Sequence, residues 1–472
     1  MTEAVDVPGS STRRAVRYGM IPLLALATTT LLEAGERGSL SVAVDRLKED
    51  FQLTDKAVGA IPFAMTIIGV LGAFPFGMLA DRLRRTRLLA GAMLVWTSCM
   101  ALNGLAPTYA FLFATRLGVG TVEANGPAAV SLIADYYPIE ERSRRFGLYA
   151  LGGLVGTIIG YVGGGIAIAV SGSWRWAFLF WIPAGLASVA FLLRQPEPKR
   201  GAQDASDHLE TEMLASSTAA EFAAVLGRLP PPRRVGTLDY SRARMRDVLG
   251  ELRLTPSMWF GVVALTVGQL LLFGIGFWAI AYFKRVHGLD EAQAGGLAAT
   301  LALSSAIGIV GGGYLADRRL RRGHINARIH VAAVGSLIAT ALLIPAFLST
   351  SLRVTVPLFI IGGVMLSLPI APSEALITDV VVAELRGRAA AVRSVVRAAS
   401  GSGAFLIGAL SDAWGDNADS LRHAIVVFCP LYAVAGLLML LAARHYASDV
   451  SFVLAESRRR LSAQTDEPDT LV

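Results

Sequence analysis

The chain has 472 residues, of which 54% are hydrophobic and only 17% are charged, with a mean hydropathy of +0.54. A soluble globular domain exposes more polar surface than this composition supplies, so the chain is an integral membrane protein and not an ordinary soluble one. The formal net charge of +7 could indicate nucleic-acid binding. In a membrane protein an excess of basic residues reports instead which loops face the cytoplasm, and we expect no nucleic-acid partner.

Long uncharged runs predict the membrane spans, because about 20 apolar residues cross a bilayer as a helix. The first run follows several arginines, as in a signal peptide, but no small-residue cleavage site follows it, so it is interpreted as a retained helix. Both cysteines fall inside predicted spans, which argues against a disulfide framework or a metal site. We predict about twelve spans near 16–44, 57–80, 88–107, 109–135, 145–170, 174–194, 255–283, 294–316, 327–349, 353–380, 389–411 and 423–444.

Two phrases of the sequence are repeated at equivalent places. GMLADRLRRTR at 77–87 resembles GYLADRRLRRG at 313–323, and a shift of 244 residues aligns 131–145 with 375–389, so that Asp135 meets Asp379. The chain is therefore predicted to be all-α, with two pseudo-symmetric bundles of six helices at 16–194 and 255–444. Parallel repeats around a central cavity are typical of transporters that work by alternating access.

Three segments lie outside the two bundles. Residues 1–15 and 445–472 are predicted to be cytoplasmic tails, and residues 195–254 a cytoplasmic linker with a possible amphipathic helix at 217–228. In the C-terminal tail, 451–461 could form a basic helix that touches anionic lipid headgroups, or it could be solvated and mobile.

Basic residues set the predicted orientation. If the N-terminus is cytoplasmic, the inside loops carry fourteen arginines and the outside loops carry seven basic residues. This asymmetry predicts that both termini are cytoplasmic, in a bacterial inner membrane.

The repeated loop phrase resembles the Gly-x-Leu-x-Asp-Arg motif of the major facilitator superfamily, which follows spans two and eight. The resemblance implies a monomeric secondary transporter whose loop acid, Asp81, contacts the start of span eleven and holds the cytoplasmic side closed. The alternative is a basic loop with no switching role. The predicted cytoplasmic gate comprises Gly77, Asp81, Arg82, Arg85, Asp135, Arg142, Gly313, Asp317, Arg318 and Asp379.

Glycines in span five, GTIIGYVGGG at 156–165, are similar to the fifth-span motif of the same superfamily, except that Tyr161 stands where proline is usual. This departure weakens an inference of antiport. Close packing against another helix is the interpretation that small residues favour.

A narrower resemblance points to the spinster branch, whose members are proposed transporters of lysolipids and sphingolipids. It rests on LEAGERGSL at 32–40, SGSWRWAF at 171–178 and VVAELRGRAAAV at 381–392, together with Arg116 and Glu123. The branch carries an acid–arginine pair on span one, which Glu36 and Arg37 match with Glu where Asp is expected. It also carries a glutamate seven residues after the span-four arginine, as Glu123 is.

Ionisable residues inside spans are costly and normally face a partner or water. Glu33, Glu36 and Arg37 are spaced to share a face of span one, and Arg116 and Glu123 a face of span four. We predict one cavity cluster of Glu36, Arg37, Arg116 and Glu123 that couples transport to protons, with Arg116 also able to bind an anionic head group. The alternative is that Glu36 and Arg37 form a structural ion pair.

Substrate contacts are predicted from the same charges and from an aromatic stripe on span seven, which suits an amphiphile but is also typical of packing. A lysophospholipid or similar lipid is the predicted cargo, with drugs or small organic ions, and a non-transporting receptor or scramblase, as alternatives. No enzyme or nucleotide motif and no cofactor is expected. The predicted substrate-binding residues are Arg37, Arg116, Glu123, Glu33, Gln269, Phe273, Phe277, Trp278 and Glu374.

Overall fold

A computed structural model describes residues 18–122, 125–137, 139–198, 229–232, 234, 245–382, 385–415 and 417–465. Every regular element in these residues is a helix. Side chains are described for these ranges except at 74, 77, 81, 127, 139, 140, 142, 143, 387, 457, 458 and 460–465. The linker helix predicted at 217–228 and the side chains of Asp81 and Arg142 therefore lie outside the described part.

The described residues of the N-terminal half form eight helices, two of them in the predicted fourth span and two in the sixth. They are α1 (Ile21–Phe51), α2 (Asp55–Arg82), α3 (Arg85–Gly104), α4 (Tyr109–Val122), α5 (Gly126–Tyr136), α6 (Ile139–Ser171), α7 (Trp176–Leu179) and α8 (Ile182–Leu193).

A short helix, α9 (Met245–Arg253), precedes the C-terminal half. The half then continues with α10 (Pro256–His287), α11 (Glu291–Arg321), α12 (Ala327–Leu348), α13 (Leu352–Ser367), α14 (Ile370–Asp379), α15 (Arg386–Arg397), a 3-10 turn (Ala398–Ser402), α16 (Gly403–Ala413) and α17 (Ala418–Thr465).

Nine helical segments of the described chain are long and apolar enough to cross a membrane. Three of the twelve predicted spans fall on described helices outside this set, namely the first span on α1, the third on α3 and the fourth on α4 and α5. Charges explain the first of these, because Glu33, Glu36 and Arg37 interrupt the apolar run of α1. The twelve-span prediction is consistent with the helix order, although only nine segments meet the length and hydropathy expected of a span.

Two predicted boundaries differ from the structure. Span eleven is not one regular helix, because a 3-10 turn with the sequence AASGS separates α15 from α16. The last helix continues well beyond residue 444, and Val450, Phe452 and Val453 are buried. A solvated, mobile tail is thus wrong for the start of the C-terminal segment.

Helices α1 and α6 approach so closely that their backbones touch, which the glycines of the fifth-span motif allow. A Cβ atom on Gly156 would lie 2.0 Å from the carbonyl oxygen of Leu31, and one on Gly160 would lie 2.0 Å from that of Gly35. The interpretation of these glycines as packing residues is confirmed.

The two halves meet where the loops are predicted to face outside. α2 packs against α16, with Gly59 against the backbone of Ala404, and α6 packs against α11, with Gly165 against the carbonyl of Glu291. On this side the small residues leave no room between the halves.

Substituting Gly160 by Ala should destabilise the protein, because the added methyl group would collide with a backbone carbonyl that cannot move aside. We expect a loss of about 1–3 kcal/mol, the usual cost of overpacking, visible as a lower melting temperature in detergent. Gly153→Ala on the same helix is the control, since its Cβ would come no nearer than 3.9 Å to another atom. Equal melting temperatures for the two variants would contradict this account of the α1–α6 contact.

Candidate functional site: a cavity between the two halves

A cavity of about 350 Å³ lies between the halves. Helices α1, α2 and α6 line it from one side, and α10, α11 and α16 from the other. Its walls are mostly apolar, with a few polar groups, as in small-molecule sites generally. The side chains that give it chemical character are Arg37, Ser41, Thr66, Tyr161, Phe273, Phe277 and Ser305.

Charge and aromatic surface occupy opposite walls of this cavity. Arg37 on α1 is exposed and is the one charged residue among the described lining. Phe273, 48% exposed, and Phe277 face it from α10. Two residues of the predicted face of span seven thus line the cavity, opposite a guanidinium. The third, Gln269, is buried, is not among the described lining and accepts a hydrogen bond from Arg397 instead.

Glu36 and Arg116 form an ion pair inside the N-terminal half, and both side chains are completely buried. The guanidinium of Arg116 also lies 4.4 Å from the centre of the Phe178 ring, in cation–π geometry. The sequence prediction that these two residues meet is therefore correct. Glu36 has Arg116 as its ion-pair partner, which places this charge pair between spans one and four.

The four predicted residues do not all face one cavity. Arg37 lines the cavity between the halves, whereas Glu36 and Arg116 are buried behind it. Neighbouring helix residues point about 100° apart, which separates Glu36 from Arg37. Glu33 is buried and accepts a hydrogen bond of 2.5 Å from the Asn125 amide, while Glu123 lies outside the described residues.

Glu374, on the C-terminal half, forms ion pairs with two arginines. Its carboxylate pairs with Arg393 and lies 3.0 Å from the guanidinium of Arg397. Arg397 also donates to the side-chain oxygen of Gln269 at 3.0 Å. Sequence reasoning missed both arginines, although they stand four residues apart on one face of α15, a spacing that could have revealed them.

Trp278 is a correction to the predicted substrate site. Its side chain is completely buried, and its Nε1–H donates to the Ala404 carbonyl at 2.8 Å. A polar group that is buried needs such a partner, so Trp278 ties α10 to α16 and does not reach the cavity.

The N-half latch, as we term it, consists of Arg85, Asp135 and Glu197. It joins the ends of three helical passes on the side that is predicted to be cytoplasmic. Arg85 is 1% exposed, forms an ion pair with Asp135 and lies 2.9 Å from Glu197. Glu197 also accepts from the Thr86 backbone N–H at 2.9 Å and thereby caps α3. Although burial raises the pKa of Glu197, the hydrogen bonds from Thr86 and Arg85 outweigh it and hold that pKa below its ordinary value.

The second half repeats this arrangement with Arg328, Asp379 and Tyr446, the C-half latch. Arg328 is buried and pairs with Asp379, which also accepts a hydrogen bond from the Tyr446 hydroxyl. Asp317 of the repeated loop lies 3.5 Å from Arg328. Each latch therefore joins residues of a single half.

The structure describes the other predicted gate residues only in part. Gly77 and Gly313 lie within α2 and α11, and Arg82 and Arg318 are exposed at the ends of those helices. The expected contact of Asp81 with span eleven, and any contact of Arg142, fall on side chains outside the described part.

An ionic network that sequence reasoning counted only as loop charge closes the opposite side. Arg285 on α10 lies 2.7 Å from Asp45 and 2.8 Å from Asp55, both in the other half. Lys284 bridges to Glu291 at 2.9 Å, and Arg46 reaches the same carboxylate at 3.0 Å. We call these six residues the outer network.

A second set of bonds strengthens this closure. Asp412 accepts hydrogen bonds of 2.9 Å from the backbone N–H groups of Asp55 and Lys56, and so caps α2 from the other half. The Ser411 hydroxyl donates to Asp55 at 2.8 Å. The outer side is thus closed by direct bonds between the halves, while the ion pairs described for the two latches join residues of the same half.

Two helical bundles with a latch repeated in each half, enclosing a cavity that is sealed on one side, define an integral membrane transporter. The chain belongs to the major facilitator superfamily, whose family model matches residues 26–404. Among curated proteins it resembles spinster homolog 1 of Xenopus tropicalis, with 26% identity over 84% of this chain and 73% of that protein. Spinster of Drosophila melanogaster is 24% identical over 82% of this chain and 61% of its own length.

Solved structures show the same fold. A bacterial homolog of the human lysosomal transporter Spinster, in an inward-facing and occupied conformation, matches with a TM-score of 0.73 and 22% identity, over 90% of this chain and 97% of that one. A nucleoside transporter matches with a TM-score of 0.65 and 12% identity, over 90% and 98%. The predicted resemblance to the superfamily and its spinster branch is confirmed.

Removing one member of the Glu36–Arg116 pair should destabilise the protein more than removing both members. Arg116→Leu leaves the Glu36 carboxylate buried without its partner, a change that costs about 3–5 kcal/mol in buried pairs. Adding Glu36→Leu should recover most of this loss, since two apolar side chains need no partner. The melting temperatures of the single and double variants measure this recovery of stability. A double variant less stable than Arg116→Leu would contradict the pairing.

Substituting Arg285 by Gln should weaken the outer closure, because two carboxylates in the other half lose their shared cation. We expect the outer ends of α2 and α16 to separate in a larger fraction of molecules, measured as distances between spin labels at those ends. Arg175→Gln is the matched control, since Arg175 pairs with Asp50 inside the N-terminal half. Unchanged distances in Arg285→Gln would show that this arginine does not hold the outer side closed.

Proposed function

We propose that the protein is a secondary active transporter that works by alternating access and moves a lysophospholipid or similar amphiphilic lipid, coupled to protons. One observation carries the proposal: a cavity between the halves presents Arg37 on one wall and Phe273 and Phe277 on the other. A guanidinium matches a phosphate head group, and aromatic side chains suit an apolar tail. The resemblance to spinster proteins supports the same choice of cargo.

Alternating access follows from the placement of the bonds between the halves. The outer network must break for the cavity to open outward, and each latch can keep its half intact during that motion. Rocking of two rigid halves around a central site is the general mechanism of transporters with parallel repeats. The protein would act as a monomer in a bacterial inner membrane, with both termini in the cytoplasm.

Proton coupling is assigned to the charge pair behind the cavity. In this proposal Glu36 stays ionised while Arg116 is beside it and takes up a proton when that arginine moves away, since a lone buried carboxylate is costly. Arg37 is next to Glu36 in the sequence and would bind the phosphate head group. Glu123, which follows Arg116 by two helical turns in the sequence, is the second proposed proton carrier.

The test uses purified protein in proteoliposomes with labelled lysophospholipid, a sphingoid lipid and a drug-like cation, each with and without a pH gradient. Lysolipid movement that follows the gradient supports the proposal. Transport of the drug-like cation alone would replace the lipid by a small organic ion, and lipid movement with no gradient dependence would indicate a scramblase.

Two variants separate the roles of the site residues. Arg37→Gln should weaken lysolipid uptake by roughly tenfold or more, the worth of one charge-assisted hydrogen bond, while the exposed outer Arg353→Gln should leave it unchanged. Glu36→Gln should abolish the response to the pH gradient. Gradient-driven uptake that survives both Glu36→Gln and Glu123→Gln would eliminate the proton role.

A further inference from the structure

A second cavity lies away from the site between the halves, on the surface of the N-terminal half. It has a volume of about 760 Å³ and runs between the second part of α2, the first part of α3 and the end of α4. Its walls are mainly apolar and include Pro75, Phe76, Leu79 and Val95. Leu79 and Val95 are 46% and 50% exposed, so this groove opens toward the space that lipid would fill.

The groove has the depth of one leaflet. Its deep end on α2 is Gly72 and its shallow end is Arg82, a separation of roughly 15 Å along a helix. The hydrocarbon region of one leaflet is about half of a 30 Å core and so has the same thickness. An acyl chain that enters at the shallow end would therefore reach the middle of the membrane.

Three arginines surround the shallow end. Arg82, Arg84 and Arg87 line the groove and are exposed, whereas Arg85 between them turns inward to the N-half latch. No carboxylate is among the described residues that line the groove, and no ion pair joins these three arginines to another described residue. Guanidinium groups above an apolar channel fit a phosphate above an acyl chain.

Gly91 supplies the space in the wall of α3. A Cβ atom placed on it would meet no other atom within 4 Å, so the position opens onto the groove and not onto a neighbouring helix. A larger side chain there would fill the groove without disturbing the packing of the bundle.

We propose that this groove is a binding site for an anionic phospholipid of the cytoplasmic leaflet, with the phosphate held by Arg82, Arg84 and Arg87 and one acyl chain lying along α2 and α3. Basic pockets between spans on the cytoplasmic side are suited to such head groups. The lipid is a ligand and not the transported cargo, since the groove lies within one half and does not reach the cavity between the halves.

The experiment measures binding of phosphatidylglycerol to the full-length protein by native mass spectrometry, with phosphatidylcholine of identical chains as the comparison. The double variant Arg84→Gln/Arg87→Gln should bind phosphatidylglycerol roughly 30-fold more weakly, since each arginine beside an anionic head group strengthens binding about fivefold. The matched control is Arg319→Gln/Arg322→Gln, two exposed arginines at the equivalent loop of the other half.

A steric variant tests the groove separately from its charge. Gly91→Leu should also weaken phosphatidylglycerol binding by tenfold or more while its melting temperature without added lipid stays that of the parent protein. Gly311→Leu, on a glycine of α11 that also has open space around it, should bind as the parent does.

Several results would overturn the site. Equal affinity for phosphatidylcholine, or an equal loss in the Arg319→Gln/Arg322→Gln control, would show that any lipid or any basic loop suffices. Displacement of the bound lipid by glycerol 3-phosphate at the same concentration would indicate an anion site with no role for the acyl chain. Unchanged binding in Gly91→Leu would place the lipid elsewhere.

Discussion

The guanidinium of Arg285, shared between Asp45 and Asp55, is the interaction on which the arrangement of the halves depends. Attraction between opposite charges is strong where little water is present, and it is also lost abruptly when the groups separate. With these bonds formed, α2 packs on α16 and the central cavity has no exit on the outer side. The volume and the lining of the cavity described above therefore belong to the state in which the outer network is formed.

Three buried ion pairs each lie within a single half. Glu36 is paired with Arg116, Arg85 with Asp135, and Arg328 with Asp379. Asp55 is also buried, but its partner Arg285 belongs to the other half, so that bond has to be broken when the outer side opens, at a cost in free energy. The halves can therefore move relative to each other without breaking these three pairs, whereas the bonds of the outer network must break.

Much of this could be predicted from the sequence, because long apolar runs determine the helix order and a shift of 244 residues equates Asp135 with Asp379. The meeting of Glu36 and Arg116 was also predictable, since an ionised group in a span requires a partner. The burial of Glu36 and Arg116 behind the cavity was not, because it depends on how α1 is rotated against α6. Arg285 looked like ordinary loop charge, since its partners lie more than 200 residues away in the chain and only the docking of the halves brings them together.

Tyr161 replaces the proline usual in the fifth span, and its hydroxyl donates to the Gly276 carbonyl in the other half at 2.9 Å. It stands ten residues before the outer end of α6, roughly 15 Å along the helix axis. A tyrosine here keeps α6 free of a proline kink and adds a hydrogen bond between the halves that does not belong to the outer network. If the halves rock around the central site, displacement grows with distance from the axis of rotation. A bond at this depth would then be stretched less than the bonds of the outer network.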